Sequence, residues 1–139
     1  MRMILGLAIA AFVAACAQQP SASSEACAAP AEERAVAQLY FGRNIGTELG
    51  VDDAEWAAFV DSEISPRFPD GLTVDDVDGQ WRDTQTGGLV REPSKRVTLV
   101  LSNEAADRAA LDQIADAYKA QFQQQAVMLV VERSCVSFE

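Results

Sequence analysis

Histidine is absent from this sequence, and its absence removes several kinds of catalytic and metal-binding site. Histidine is the side chain that most often acts as a general base near neutral pH, and it is the commonest metal ligand. The chain also lacks a GxSxG nucleophile motif and a glycine-rich phosphate-binding loop. We therefore predict no catalytic constellation, no cofactor and no metal site.

Three aspartates, Asp75, Asp76 and Asp78, form the one cluster that could suggest calcium. An EF-hand built from them would have Val74 at the first ligand position and Gln85 at the twelfth, and neither side chain suits its place. We interpret the cluster as a solvated acidic edge.

Basic residues are scarce: 11 lysines and arginines stand against 21 aspartates and glutamates, which gives a formal charge of −10. Such a chain repels nucleic acid and anionic lipid headgroups, so neither is a predicted partner. With 49% apolar and 23% charged residues, the composition is that of a globular protein.

The chain has no apolar run long enough to cross a bilayer, which takes about 20 residues. A shorter run follows Arg2 and ends at Val13, as in a secretory signal. The residues Val13-Ala14-Ala15-Cys16 then resemble the lipobox of bacterial lipoproteins, in which the cysteine is lipidated and becomes the mature N-terminus. We predict a signal peptide over residues 1–15 and a lipid anchor on Cys16.

This anchor would hold the protein on a membrane of the cell envelope, facing the periplasm. Because Ala17 follows the cysteine, where enterobacterial lipoproteins retained at the inner membrane usually carry aspartate, we favour the outer membrane. The alternative is ordinary signal cleavage after Ala17 and secretion as a soluble protein. In either case residues 16–33, rich in Ala, Ser, Gln and Pro, read as a flexible tether before one domain over residues 34–139.

Cysteine is rare, with three residues in all. If lipid occupies Cys16, then Cys27 and Cys135 remain as a pair in a compartment that permits disulfides. We predict that they are bonded. A reactive thiol or a metal site is the weaker interpretation, because no basic residue adjoins Cys27 and the chain has no histidine.

Hydrophobic patterns predict six elements in the order βαββαβ. The strands are expected at residues 35–42, 72–81, 95–102 and 126–132. One helix is expected to begin after Asp52 or Asp53 and to end at Pro66, and a second to be capped by Asn103. This order predicts an α+β, ferredoxin-like fold, with two helices on one face of a four-stranded antiparallel sheet. The first and fourth strands are then neighbours, which independently supports the disulfide.

The third and fourth predicted strands carry apolar residues on both faces. Val97, Leu99 and Leu101 alternate with Thr98 and Val100 along the third strand. Because two helices cover only one face, we expect the other face to be covered by a second copy of the sheet in a homodimer, by a ligand or by the tether. The alternative is that a few small apolar residues are simply exposed.

Polar and aromatic residues flank the hairpin between the second and third strands and form a candidate ligand-binding site. They are Tyr40, from the first strand, with Gln80, Trp81, Arg82, Glu92 and Lys95. A structural interpretation competes with this one: a cross-strand ion pair between Arg82 and Glu92, beside a packed Trp81. Arg67 and Asp70 are open to the same two interpretations, an anion site or a turn held by an ion pair.

The remaining aromatic residues are most simply assigned to the core, together with Tyr40: Trp56, Phe59, Tyr118 and Phe122.

Several stretches resemble the bacterial family known as domain of unknown function 3574. They are Leu39-Tyr40-Phe41-Gly42, the run from Pro66 to Val74, Gly79-Gln80-Trp81-Arg82, Glu92 with Ser94-Lys95, and Tyr118, Phe122, Gln124 and Cys135-Val136-Ser137-Phe138. The resemblance implies an exported bacterial protein and no particular reaction.

We therefore expect a non-catalytic envelope lipoprotein that binds a small molecule or an envelope protein. The rival hypothesis is a small cofactor-independent enzyme whose pocket lies at the sheet face of a dimer and uses Gln38, Tyr40 and Thr98.

Overall fold

The computed structural model of the protein describes residues 27–139. The predicted signal peptide, the lipidation site Cys16 and most of the predicted tether lie outside these residues. No helix within them is long and apolar enough to span a membrane.

The described chain forms a sheet of long strands, two helices and a small hairpin. In chain order the elements are β1 (Glu32–Gly42), β2 (Asn44–Ile45), β3 (Glu48–Leu49), α1 (Asp53–Phe59), β4 (Thr73–Arg82), β5 (Leu89–Leu101), α2 (Glu104–Phe122) and β6 (Met128–Val136). A π-helical turn, Val60–Ile64, continues α1.

The four long strands form one sheet in the order β4-β5-β1-β6, and each pairs antiparallel with its neighbours. The strands β2 and β3 pair only with each other. This confirms the predicted α+β, ferredoxin-like arrangement.

Local sequence explains where both helices begin. Asp52 and Glu55 form a capping box at α1: the Asp52 carboxylate accepts from the Glu55 amide at 2.8 Å, and Glu55 accepts from the Asp52 amide at 2.9 Å. Asn103 caps α2 as predicted, by accepting from the amide of Ala106. The helix ends at Gln123, which takes the left-handed conformation with a φ of 53°.

The strand β5 begins six residues earlier than the predicted start at Lys95, because Pro93 does not end it. The last pair between β1 and β5 joins Gly42 to Ser94, so Pro93 lies beyond that ladder. Its carbonyl still accepts from the Arg43 amide at 3.1 Å, and β4 still pairs with it through Asp78. Proline is tolerated here because no β1 carbonyl needs its missing N–H.

The core lies between the sheet and the two helices. Its centre is an aromatic cluster whose neighbouring ring centroids are 4.8 to 6.2 Å apart: Phe41, Trp56, Phe59, Tyr118 and Phe122. The four predicted core aromatics in this cluster are buried, as expected. Tyr40 is not among them, because its neighbour Phe41 points to the helices and alternation sends Tyr40 to the opposite face.

A disulfide joins Cys27 to Cys135, with 5.5 Å between their Cα atoms. Cys135 lies on β6 opposite Glu33 of β1, so the bond ties the chain before β1 to the strand beside it. It closes a loop of 108 residues, which contains almost all of the described fold.

Candidate ligand-binding cavity

The sheet face turned away from the helices, here called the open face, is set by the strand register. Tyr40 on β1 lies between Arg96 on β5 and Met128 on β6, and all three share this face. Alternation places Val130 on the same face, and Leu129 and Val131 on the helix side. Val130 and Met128 are among the exposed large apolar residues, at 38% and 55% exposure.

A cavity of about 360 Å³ lies at one end of the open face. Its lining mixes apolar and aromatic side chains with amides, hydroxyls and a carboxylate. The lining residues are Tyr40, Gly42, Val77, Asp78, Gly79, Gln80, Trp81, Glu92, Ser94, Gln124, Gln125, Ala126 and Met128.

Two glycines make room for polar side chains of this cavity. A Cβ atom at Gly42 would lie 2.5 to 2.6 Å from the carboxylate atoms of Glu92. A Cβ atom at Gly79 would lie 2.9 Å from the Ser94 hydroxyl. Both positions therefore favour a residue without a side chain, because the space that a Cβ atom would need is taken by the Glu92 carboxylate and the Ser94 hydroxyl.

Glu92 is the most unusual residue of the cavity, because its side chain is a carboxylate and the residue is only 8% exposed. One oxygen accepts from the indole N–H of Trp81 at 2.6 Å, and the other accepts from the backbone amide of Asn44 at 3.1 Å. Both donors are neutral. Within residues 27–139, none of the ion pairs includes Glu92.

The segment after α2 forms one rim of the cavity and is held by hydrogen bonds to two other parts of the chain. Gln124 donates its side-chain amide to the carbonyl of Asn44 at 2.7 Å. Gln125 accepts from the Thr84 hydroxyl at 2.8 Å and donates to Asp83 at 3.3 Å, so it contacts the turn between β4 and β5. Backbone amides of Gln85 and Thr86 also donate to Asp83 and hold the pKa of its carboxyl below the usual range.

Tyr118 supports the cavity from the core side. Its hydroxyl donates to the carbonyl of Gly42 at 2.9 Å, across 76 positions of sequence. Burial raises the pKa of Tyr118 well above its usual range, and the nearby Glu92 carboxylate adds to that rise. The hydroxyl is thus a fixed neutral donor to the backbone beneath Glu92.

The charges around the cavity are unevenly distributed. Its lining includes the Glu92 carboxylate and no lysine or arginine; Asp78 adjoins the cavity, but alternation from Val77 and Gly79 turns its side chain to the other face. The neighbouring Arg96 pairs with Asp75 at 3.0 Å, and this contact raises the pKa of Arg96. Lys95 lies on the helix side of β5, where it pairs with Asp76 at 2.5 Å and so lowers the pKa of that carboxyl. The cavity therefore carries unbalanced negative charge.

The structure brings some of the six predicted ligand-binding residues to the cavity and places the others away from it. Tyr40, Trp81 and Glu92 line the cavity on the open face. Gln80 also adjoins the cavity, but its side chain is turned to the other face, where it accepts from Arg91 at 2.9 Å. Arg82 and Lys95 do not, and their predicted place beside the other four is wrong. The pairing of Gly79 with Glu92 places Trp81 on the open face, and alternation then turns Arg82 away. Lys95 is three residues from Glu92 on the same strand, so it faces the other way.

Three predicted charge arrangements also need correction. The expected ion pair between Arg82 and Glu92 is not formed; Arg82 donates instead to the carbonyl of Gly87 at 2.7 Å. Arg67 pairs with Glu63 one helical turn earlier, at 3.0 Å, rather than with Asp70.

The acidic cluster is the third correction, because it is not simply solvated. Asp75 and Asp76 pair with Arg96 and Lys95 of the adjacent strand. Residues 27–139 contain no group of acidic or cysteine side chains placed to hold a metal ion.

Sequence reasoning missed most of the small and flexible lining residues. Alternation from Tyr40 reaches Gly42, and alternation from Trp81 reaches Gly79 and Val77, so these three could have been found once the hairpin was aligned. The rim at residues 124–126 carries no comparable signal, because it reaches the cavity through contacts with Asn44 and Thr84, far away in sequence.

A family model described as "Protein of unknown function (DUF3574)" matches residues 36–138 of this fold. The chain belongs to this family. The matched part includes β1 from Val36 onward, the other three long strands, both helices and every residue that lines the cavity.

The DUF3574 domain is also similar to solved structures. A phage SAM lyase in complex with S-methyl-5'-thioadenosine aligns with a TM-score of 0.61 and 14% identity, over 76% of this chain and 90% of that one. A phage SAM lyase in the apo state aligns with a TM-score of 0.55 and 17% identity, over 77% of this chain and 93% of that one. CutA from Synechococcus elongatus PCC7942 gives 0.47 and 10%, over 74% and 78%. No curated protein matches the sequence significantly. At these identities the lyase structures show a shared fold and nothing about the reaction.

Proposed function

We propose that this protein is a non-catalytic binding module of the cell envelope, which takes a small molecule into the cavity on its open face. The observation that carries the proposal is a cavity of about 360 Å³ with a buried carboxylate in its wall. Small-molecule sites are commonly concave, of about 300 to 1,000 Å³, and mostly apolar with a few polar groups that orient the ligand. Val77, Trp81 and Met128 supply the apolar surface, while Glu92 and Ser94 supply polar atoms.

The polar groups of the cavity support binding better than catalysis. Glu92 accepts from Trp81 and Asn44, and Tyr40 donates to Gln38 at 2.7 Å. Within the part of the chain that the structure describes, no hydrogen bond joins a cavity hydroxyl to a carboxylate, as an activated nucleophile would need. These groups can orient a ligand without transforming it.

The test is to block the cavity and ask whether a co-purifying molecule is lost. Ala126 lines the cavity, so Ala126→Trp should fill it, whereas Ala120→Trp adds the same bulk on an exposed position of α2 outside the lining. The wild type and Ala120→Trp, purified from native envelopes, should release the same small molecule on denaturation, and Ala126→Trp should not. A molecule retained equally by all three proteins, or released by none, would contradict the proposal.

We place this module outside the cytoplasm, on a membrane through lipid at Cys16. The lipobox-like residues before Cys16 and the disulfide between Cys27 and Cys135 support this location. Cys16→Ser should release the protein from membranes, and the mass of the wild-type N-terminus should include a lipid. An unmodified chain that begins at Gln18 would refute the anchor.

A cofactor-independent enzyme is the second candidate, and one observation favours it. Glu92 is a buried carboxylate in a cavity wall, a common setting for a general base. The similar phage structures are of a SAM lyase, so SAM is a reasonable first substrate to offer. Formation of S-methyl-5'-thioadenosine by the wild type and not by Glu92→Gln would replace the binding module with an enzyme.

A further inference from the structure

The cavity contains a buried carboxylate and no basic side chain, and this imbalance identifies the class of ligand. Glu92 is 8% exposed and accepts only from the neutral N–H groups of Trp81 and Asn44. A carboxylate can accept about four hydrogen bonds, so Glu92 retains capacity for more. A buried charge is costly unless it is paired, and the protein supplies no cationic partner within residues 27–139.

The nearby basic side chains pair with other carboxylates and do not serve as cationic partners of Glu92. Lys95 and Arg43 lie on the helix side, where Lys95 contacts Asp76 and Arg43 donates to Asp53 at 2.8 Å. Arg96 shares the open face with Glu92, but it pairs with Asp75. A complementary charge for Glu92 must therefore come from outside the chain.

The other walls suit a positive charge that is carried by apolar groups. Tyr40 and Trp81 line the cavity, and aromatic rings attract cations at their faces. The formal charge of −10 for the whole chain also raises the local concentration of cations. An anionic ligand would meet repulsion from all of these groups.

We propose that the cavity binds a small organic cation, an amine or a quaternary ammonium compound, with Glu92 as its counter-charge and Tyr40 and Trp81 as its aromatic contacts. This inference rests on the proposed binding function and adds the charge of the ligand. The cavity volume of about 360 Å³ leaves room for a compact cation with an apolar substituent.

The test compares two probes of the same shape that differ in charge. Choline and 3,3-dimethylbutan-1-ol have the same skeleton, but the central atom is a charged nitrogen in the first and a neutral carbon in the second. Binding to the mature full-length protein in a non-ionic detergent can be followed by tryptophan fluorescence. We expect choline to bind at least about tenfold more tightly than its neutral isostere.

Three variants locate the source of that preference. Glu92→Gln keeps the shape of the side chain and should remove most of the preference, because choline loses its counter-charge and the neutral probe no longer desolvates a carboxylate. An unchanged far-UV circular dichroism spectrum should show that the variant is folded. Asp78→Asn should change the preference little, because Asp78 is exposed and its side chain is turned away from the open face. Asp112→Asn removes the same charge from an exposed position on α2, outside the cavity lining, and should leave the preference as it is.

The possible failures are distinguishable. Equal affinity for both probes, or a choline preference that survives Glu92→Gln, would overturn the inference while the binding function stands. No binding of either probe up to about 100 mM, by wild type and variants alike, would overturn the inference and count against the binding function as well.

Discussion

Replacement of Gly42 by alanine should test how tightly the cavity is built around Glu92. The new Cβ atom would lie 2.5 to 2.6 Å from three atoms of the Glu92 carboxyl group, and these are its three nearest neighbours. The carboxylate would have to move by about 1 Å to reach ordinary contact, which breaks at least one of its bonds to Trp81 and Asn44. A hydrogen bond to a charged group is worth about 1.5 to 3 kcal/mol, so Gly42→Ala should lower the free energy of unfolding by about that amount.

In a protein that lacks the Glu92 side chain, Gly42→Ala should no longer lower the free energy of unfolding. In a Glu92→Ala background the three nearest atoms are absent, and glycine in a strand costs about 0.5 to 1 kcal/mol relative to alanine. Gly42→Ala should then be neutral or slightly stabilising. The coupling energy between the two positions should therefore be about 1.5 to 4 kcal/mol.

Urea unfolding of the four proteins in this cycle, with the disulfide intact and far-UV circular dichroism as the signal, measures the coupling directly. Gly88→Ala is the control, because its Cβ atom would meet nothing closer than the exposed Thr86 hydroxyl at 3.3 Å. The control should change stability by less than about 0.5 kcal/mol. If Gly42→Ala costs the same with and without Glu92, the steric account of this glycine is wrong.

Three further predictions concern the rest of the fold. Replacing Cys27 and Cys135 by alanine should lower the free energy of unfolding by about 2 to 5 kcal/mol, since the bond closes a loop of 108 residues; an unchanged urea midpoint would contradict this. Val130→Lys, on the open face but outside the cavity lining, should convert a homodimer into a monomer in measurements of mass in solution, and a wild type that is monomeric at tens of micromolar would refute the dimer. Asp76→Asn should destabilise the protein most at neutral pH: Lys95 holds the pKa of Asp76 below 3.8, so the wild-type advantage is present above about pH 4 and falls as pH drops through the lowered value. Melting temperatures of both proteins from pH 2 to 7 should converge in acid, and a constant difference would exclude this origin.

Patterns local in sequence were sufficient to predict the fold. Apolar residues at helical spacing and the cap at Asn103 located both helices, and the order of elements then determined the sheet. The start of β5 was predicted too late, at Lys95, whereas the strand begins at Leu89 and passes through Pro93. Whether proline interrupts a strand depends on where the neighbouring strand ends, and that information lies in β1, about fifty positions earlier.

The cavity could be predicted only in part, because it depends on register and on distant contacts. Trp81 and Glu92 were identified from their chemistry beside a hairpin. Arg82 and Lys95 were grouped with them although strand alternation alone would have separated Arg82 from Trp81 and Lys95 from Glu92. The role of Gly42 could not be predicted from the sequence either, because it depends on the Glu92 carboxylate, which lies where a Cβ atom of residue 42 would be.

Glu92 and the nearest lysine, Lys95, lie on opposite faces of the sheet, and this helps to explain why residue 92 is a glutamate. Lys95 is three residues away and buried, yet it lies on the helix side with Asp76, so it cannot neutralise Glu92. A purely structural acceptor for the Trp81 indole could be a neutral amide, which would avoid the cost of burying a charge. Water that enters the cavity can solvate the carboxylate, but any ligand that displaces this water must replace its interactions. A cation replaces them with an ion pair, whereas a neutral molecule leaves the carboxylate desolvated, so the same residue that favours one class of ligand also discriminates against the other.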